Sequence, residues 1–127
     1  MATGISTYLG NAWLDALGNN TSFAVAQPYV KLHVGDPGAL GTANPAIETT
    51  RKAASFGAAS GGVLTSDAAI SWTNISGSQD ATHFTSWDAV SGGNFLFSGT
   101  ITANAYTAGD TYTIASGSLT ATLTIAS

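Results

Sequence analysis

Two histidines and seven carboxylates are the groups of this chain that could move protons or hold a metal: His33, His83, Asp15, Asp36, Glu48, Asp67, Asp80, Asp88 and Asp110. A general base must lie within hydrogen-bond reach of the proton it takes. Glycoside hydrolysis needs two carboxyls held across a sugar ring. Here the acids stand singly, mostly beside turns, where Asp bonds the local backbone. Asp80 and Asp88 are the pair that a fold could bring together. No His-x-His, Asp-x-Asp or EF-hand spacing marks a metal site. Ser60 lies in Gly57-Ala58-Ala59-Ser60-Gly61, which is not the Gly-x-Ser-x-Gly elbow of a nucleophile. The chain has no cysteine, which excludes disulfides and thiolate ligands. These residues predict no catalytic set, no cofactor and no metal, and so a protein that is not an enzyme.

The aromatics offer different chemistry. Trp72, Phe84, Trp87, Phe95 and Phe97 gather in the middle third. Buried, they form the core of a Gly- and Ala-rich fold, because burying aromatics dominates core energetics. Exposed, Trp72 and Trp87 would stack on sugar rings and make the chain a host-glycan-binding module, the alternative function. Trp13 and Leu17 complete the four candidate interaction residues.

Those side chains must be positioned by two kinds of element. Over residues 4–17, Ile5, Leu9, Trp13 and Leu17 recur every four positions, which predicts one short N-terminal helix. Thr3 is its expected N-cap, and Gly18-Asn19-Asn20 its stop. Gly10 weakens its middle by about 1 kcal/mol relative to Ala. A helix this short is marginal alone, so its stripe must dock on the chain's own sheet or on a neighbouring subunit.

From residue 28 to 126 the period is two. Val30, Leu32 and Val34 alternate with Tyr29, Lys31 and His33. Ala68, Ile70 and Trp72, then Phe95, Phe97 and Ile101, then Tyr112 and Ile114 repeat the pattern. The cleanest run is Leu119, Ala121, Leu123 and Ile125 against Thr120, Thr122 and Thr124. Gly35-Asp36-Pro37-Gly38, Gly61-Gly62, Gly92-Gly93-Asn94 and Gly109-Asp110 punctuate the strands. The expectation is a mainly β chain, an antiparallel β-sandwich or jelly-roll-like barrel with one short helix, in a single domain over 1–127. Residues 38–50 read as a long loop, either a surface connection or an arm reaching a partner.

Only 8% of the 127 residues are charged, against about 25% in ordinary soluble domains. Thr-lined strands almost without charge are templates for pairing with other chains. The net charge is −4, with Lys31, Arg51 and Lys52 as the cations. Three cations make no basic footprint, so nucleic acid is not an expected partner. No run of eighteen apolar residues predicts a membrane span. The N-terminus shows no basic region followed by an apolar stretch, so no signal peptide is expected.

Several segments, in order, carry a resemblance. Tyr29-Val30-Lys31-Leu32-His33-Val34-Gly35-Asp36-Pro37-Gly38 is followed by Phe56-Gly57-Ala58-Ala59-Ser60-Gly61-Gly62, then Thr82-His83-Phe84, Trp87-Asp88-Ala89-Val90-Ser91-Gly92-Gly93-Asn94 and Ala108-Gly109-Asp110-Thr111. From about Ile5 to Ile125 the chain resembles small virion structural proteins of actinobacterial tailed phages, a family of minor tail, tail-fibre-like and capsid-decoration-like proteins. The resemblance implies a virion component assembled in the host cytoplasm. Its partners would be major capsid or tail proteins and further copies of itself, with a trimer favoured. It would stabilise the particle through contacts between subunits.

Overall fold

The computed structural model describes residues 3–126; Met1, Ala2 and Ser127, counted in the expected 1–127 domain, lie outside the described residues. Among the described residues there are one helix, α1 (Thr7–Gly18), and eight strands: β1 (Tyr29–His33), β2 (Lys52–Ala53), β3 (Val63–Thr65), β4 (Ile70–Trp72), β5 (Gln79–Trp87), β6 (Phe95–Tyr106), β7 (Tyr112–Ile114) and β8 (Thr120–Thr122). A four-stranded antiparallel sheet runs in the order β2-β1-β5-β6, beside two-stranded ribbons β3-β8 and β4-β7. The fold is mainly β and antiparallel, and no barrel closes.

Alternation decides one face of the large sheet. Val30 and Leu32 pair with Ser86 and Phe84 on β5, which pair in turn with Phe97 and Gly99 on β6. This face carries the core, joined by Ile70, Trp72, Ile75, Tyr112, Ile114 and Leu119 from the ribbons and loops. Gly99 is a packing choice: a Cβ there would lie 2.7 Å from the Phe84 ring.

The other face is covered as well. Tyr29, Lys31 and His33 share it with Trp87, Thr85 and His83. His33 and Thr85 are fully buried, because residues 36–46 fold back as a roof. Gly41 touches Phe95 there in a left-handed conformation (φ 72°) that leaves no room for a side chain. The 38–50 loop is therefore no free arm. Val34 N–H donates to Asn44 O (2.9 Å) and Ala46 N–H to Leu32 O (3.1 Å), covering the edge of β1.

The helix begins later than the period suggested, at Thr7 and not at residue 4. Ser6, not Thr3, is the N-cap, and its Oγ accepts from Leu9 N–H at 3.0 Å. The same hydroxyl donates to Phe95 O at 2.6 Å, and Ser6 N–H donates to Leu96 O at 2.8 Å. Residues 4–6 thus run along the outer edge of β6, and Ile5 pairs with Phe97 instead of continuing the helical stripe. The C-terminal run is also shorter than its pattern. β8 ends at Thr122, because its partner β3 starts at Val63, just after the Gly61-Gly62 turn. Leu123 and Ile125 are left exposed.

Candidate functional site

The four sequence-selected residues separate into two places. Trp72 is 1% exposed and Trp87 8%, so both indoles lie in the core and the alternative of an exposed sugar-stacking platform has no surface to rest on. Trp72 packs on Tyr112, and its Nε1–H donates to Thr50 O at 2.8 Å. Trp87 packs on Phe95, with the Arg51 guanidinium carbon 4.2 Å from its ring centre. Arg51 is fixed there by donating to Ala89 O (2.8 Å) and Gly92 O (2.7 Å). Neither indole has a face to offer a sugar.

Beneath Trp87 lies a buried polar chain that sequence reading missed. Trp87 Nε1–H donates to Thr85 Oγ1 at 2.7 Å. Thr85 Oγ1 lies 2.9 Å from His33 Nε2, and His33 Nδ1 lies 2.8 Å from Ala43 O. A carbonyl only accepts, so Nδ1 carries a proton. Burial favours the neutral ring, in which the Thr85 hydroxyl donates to Nε2. Burial pushes the His33 pKa down; the Ala43 carbonyl opposes this, and the Lys31 and His83 charges add to it. Every polar atom of this set is used inside the fold, so its role is structural.

Asp80 and Asp88 do not converge. Asp80 sits near the start of β5 and Asp88 just past its end, about 26 Å apart along an extended strand. Asp88 accepts from Asn94 N–H at 2.7 Å and from Asn94 Nδ2 at 2.9 Å. Glu48 is buried and accepts from Ser76 N–H (2.9 Å) and Thr50 N–H (3.1 Å). Its burial would raise its pKa, but these amides and the Lys52 charge hold it below the ordinary value. Among the described residues no group of three or more histidines and acids could hold a metal ion.

Trp13 and Leu17 belong to the second place, the surface around α1. Leu9 is the helix's one buried residue. Trp13 is half-buried, while Leu14 is 63% exposed and Leu17 84%. Leu9 and Trp13 wall two apolar hollows. One, about 530 Å³, is lined further by Phe23, Val25, Phe56 and Leu64. The other, about 190 Å³, reaches Leu123. Tyr8 packs edge-on to Phe23 and is itself exposed. The helix therefore docks through Leu9 and Trp13 and leaves an apolar flank in water.

The sequence pattern of one family, described as Podophage GP4 fiber I protein gp80, matches residues 4–122. No curated protein matches the chain.

Proposed function

Since the chain belongs to the podophage GP4 fiber I protein gp80 family, and is thereby a phage virion component, we propose that it is a small non-enzymatic subunit that stabilises the particle through contacts with neighbouring virion proteins. The family's description names a fibre, which supports a tail position over capsid decoration; it is silent on an actinobacterial host. The observation that carries the contact role is the flank of α1, where Leu14 and Leu17 are presented to solvent on a helix too short to be stable alone. The polar groups His33, Thr85, Glu48 and Asp88 are occupied by partners within the chain. Contacts made only by the folded chain would stabilise fold and assembly together by mass action.

Mass spectrometry and imaging of purified particles test this reading. The chain should copurify with intact virions and occupy density at the tail. Replacing Leu14 and Leu17 together by Asp should reduce its incorporation while leaving the isolated chain folded. A chain found only in the lysate and never in particles would refute it.

A further inference from the structure

The cations of this chain stand together. Lys31 is on β1, Arg51 just before β2 and Lys52 within it. Antiparallel pairing sets Ala53 opposite Tyr29 and Lys52 opposite Val30, and the next step of that register sets Arg51 opposite Lys31. Side chains of opposite residues share a face. The Arg51 guanidinium agrees, because it lies over Trp87, the β5 partner of Tyr29. Like charges opposite each other on neighbouring strands destabilise a sheet. Lys31 is also half-buried. Burial, then the Arg51 charge, pushes its pKa below the ordinary 10.5.

No acid of the chain relieves the pair. Among the described residues Lys31 makes no hydrogen bond or ion pair. Asp88 is the carboxylate whose charge reaches Arg51, and both of its oxygens accept from Asn94. Asp67 and Asp80 are exposed, and among the described residues their carboxylates accept no hydrogen bond. A chain with seven acids thus leaves Lys31 and Arg51 without a carboxylate of their own.

We infer that Lys31 and Arg51 together form a site for a carboxylate, supplied by an acidic side chain of a neighbouring chain in the particle. One negative charge between the two cations pairs both and removes their repulsion. Arg51 is already fixed by the Trp87 ring and by the carbonyls of Ala89 and Gly92, which take its Nη1. It therefore loses little freedom when a guest binds. Its Nε and Nη2 and the Lys31 ammonium are the donors for that guest, and such charge-assisted bonds are the strong ones. Two sources offer the group: a second copy, whose Asp67 and Asp80 are exposed, or another virion protein. The inference rests on the proposal that the chain is a virion subunit.

Carbodiimide coupling of intact particles, read by mass spectrometry, tests it, because the reagent joins an amine to a carboxylate already in contact with it. The chain has two lysines, Lys31 and Lys52, so the coupled amine is identified directly. A link from Lys31 to a carboxylate of another chain is expected. The sequence of the linked peptide names the source, a second copy or another virion protein. Particles that contain the chain but show no such link overturn the site alone; absence of the chain from particles removes the virion reading itself. Stability gives a second readout on the isolated chain. Lys31→Glu places the missing negative charge opposite Arg51, and Lys31→Gln removes the charge without replacing it. Both should keep a native circular dichroism. At low salt Lys31→Glu should melt about 2–4 °C above Lys31→Gln, and high salt should shrink the difference. If Lys31→Glu melts no higher, no place for an anion lies between Lys31 and Arg51, and the site is overturned.

Discussion

Thr85 Oγ1 stands 2.9 Å from His33 Nε2 across two neighbouring strands, and it also receives the Trp87 indole N–H at 2.7 Å. One hydroxyl thus satisfies a buried donor and a buried acceptor. Thr85→Val keeps the shape and orphans both. The loss should be about 2 kcal/mol, since unsatisfied buried groups cost more than the bond itself. Thr85→Ser should retain most of the stability. Urea unfolding of the two variants decides it: equal midpoints would mean that the hydroxyl is not the joint.

Acid should destabilise the fold in two stages. His33 is held below its ordinary 6.5. Above that value both folded and unfolded chains are neutral at this site, so stability is flat. Below it the unfolded chain takes up a proton that the folded chain refuses, so stability falls with pH until the folded His33 also titrates. Glu48 is held below its ordinary 4.5. Its contribution is present above that value and is lost as pH falls through the lower, folded pKa. The two effects share a sign. Unfolding free energies measured against pH should show His33→Phe flattening the first stage and Glu48→Gln the second.

Glycines of this chain should respond oppositely to the same substitution. At Gly99 a Cβ would press to 2.7 Å on Phe84, directly across the β5–β6 pair, and overpacking of this kind costs about 1–3 kcal/mol. At Gly41 the Phe95 ring stands equally close and φ is 72°, so strain adds to the clash. At Gly10 the space is open, and Ala should raise the stability of the monomeric chain by about 1 kcal/mol. Thermal melts of the three Ala variants, compared under dilute conditions, check the order.

What the sequence made legible was the part governed by local period. Val30 and Leu32 against Lys31 mark β1 to within a residue, and Gly18-Asn19-Asn20 marks the end of α1 correctly. The failures are all long-range. Ile5 fits the helical stripe, but pairing with Phe97 drew it onto the sheet edge. Leu123 and Ile125 fit the terminal strand, but the ladder with β3 ends at Val63 and Thr122, and Leu123 N–H donates instead to Gly62 O in the turn. His33 and Thr85 stand on the polar phase of their strands, opposite the face of Val30, Leu32 and Phe84. Nothing local to either reveals that residues 36–46 fold over them, or that register joins positions 52 apart in the chain. Trp87 two residues after Thr85 was the available signal, since a buried indole N–H needs an acceptor nearby. Trp13 and Leu17 were selected on their helical period, and α1 carries both, Trp13 half-buried and Leu17 exposed.

Arg51 gives the last test, because its roles separate by substitution. Its guanidinium lies over the Trp87 ring and donates to the carbonyls of Ala89 and Gly92, which ties the start of β2 to the turn after β5. A planar, weakly hydrated cation suits a ring face better than a compact ammonium. Arg51→Lys keeps the charge but loses the planar group stacked on the ring. It should cost about 1–2 kcal/mol and raise hydrogen exchange at Asn94, whose N–H bonds Asp88 in the same turn. Arg51→Met keeps the apolar stem over Trp87 and loses the donors. If both variants match the parent in urea midpoint and Asn94 exchange, the clamp contributes nothing. If only Met fails, charge and not planarity is what holds the turn.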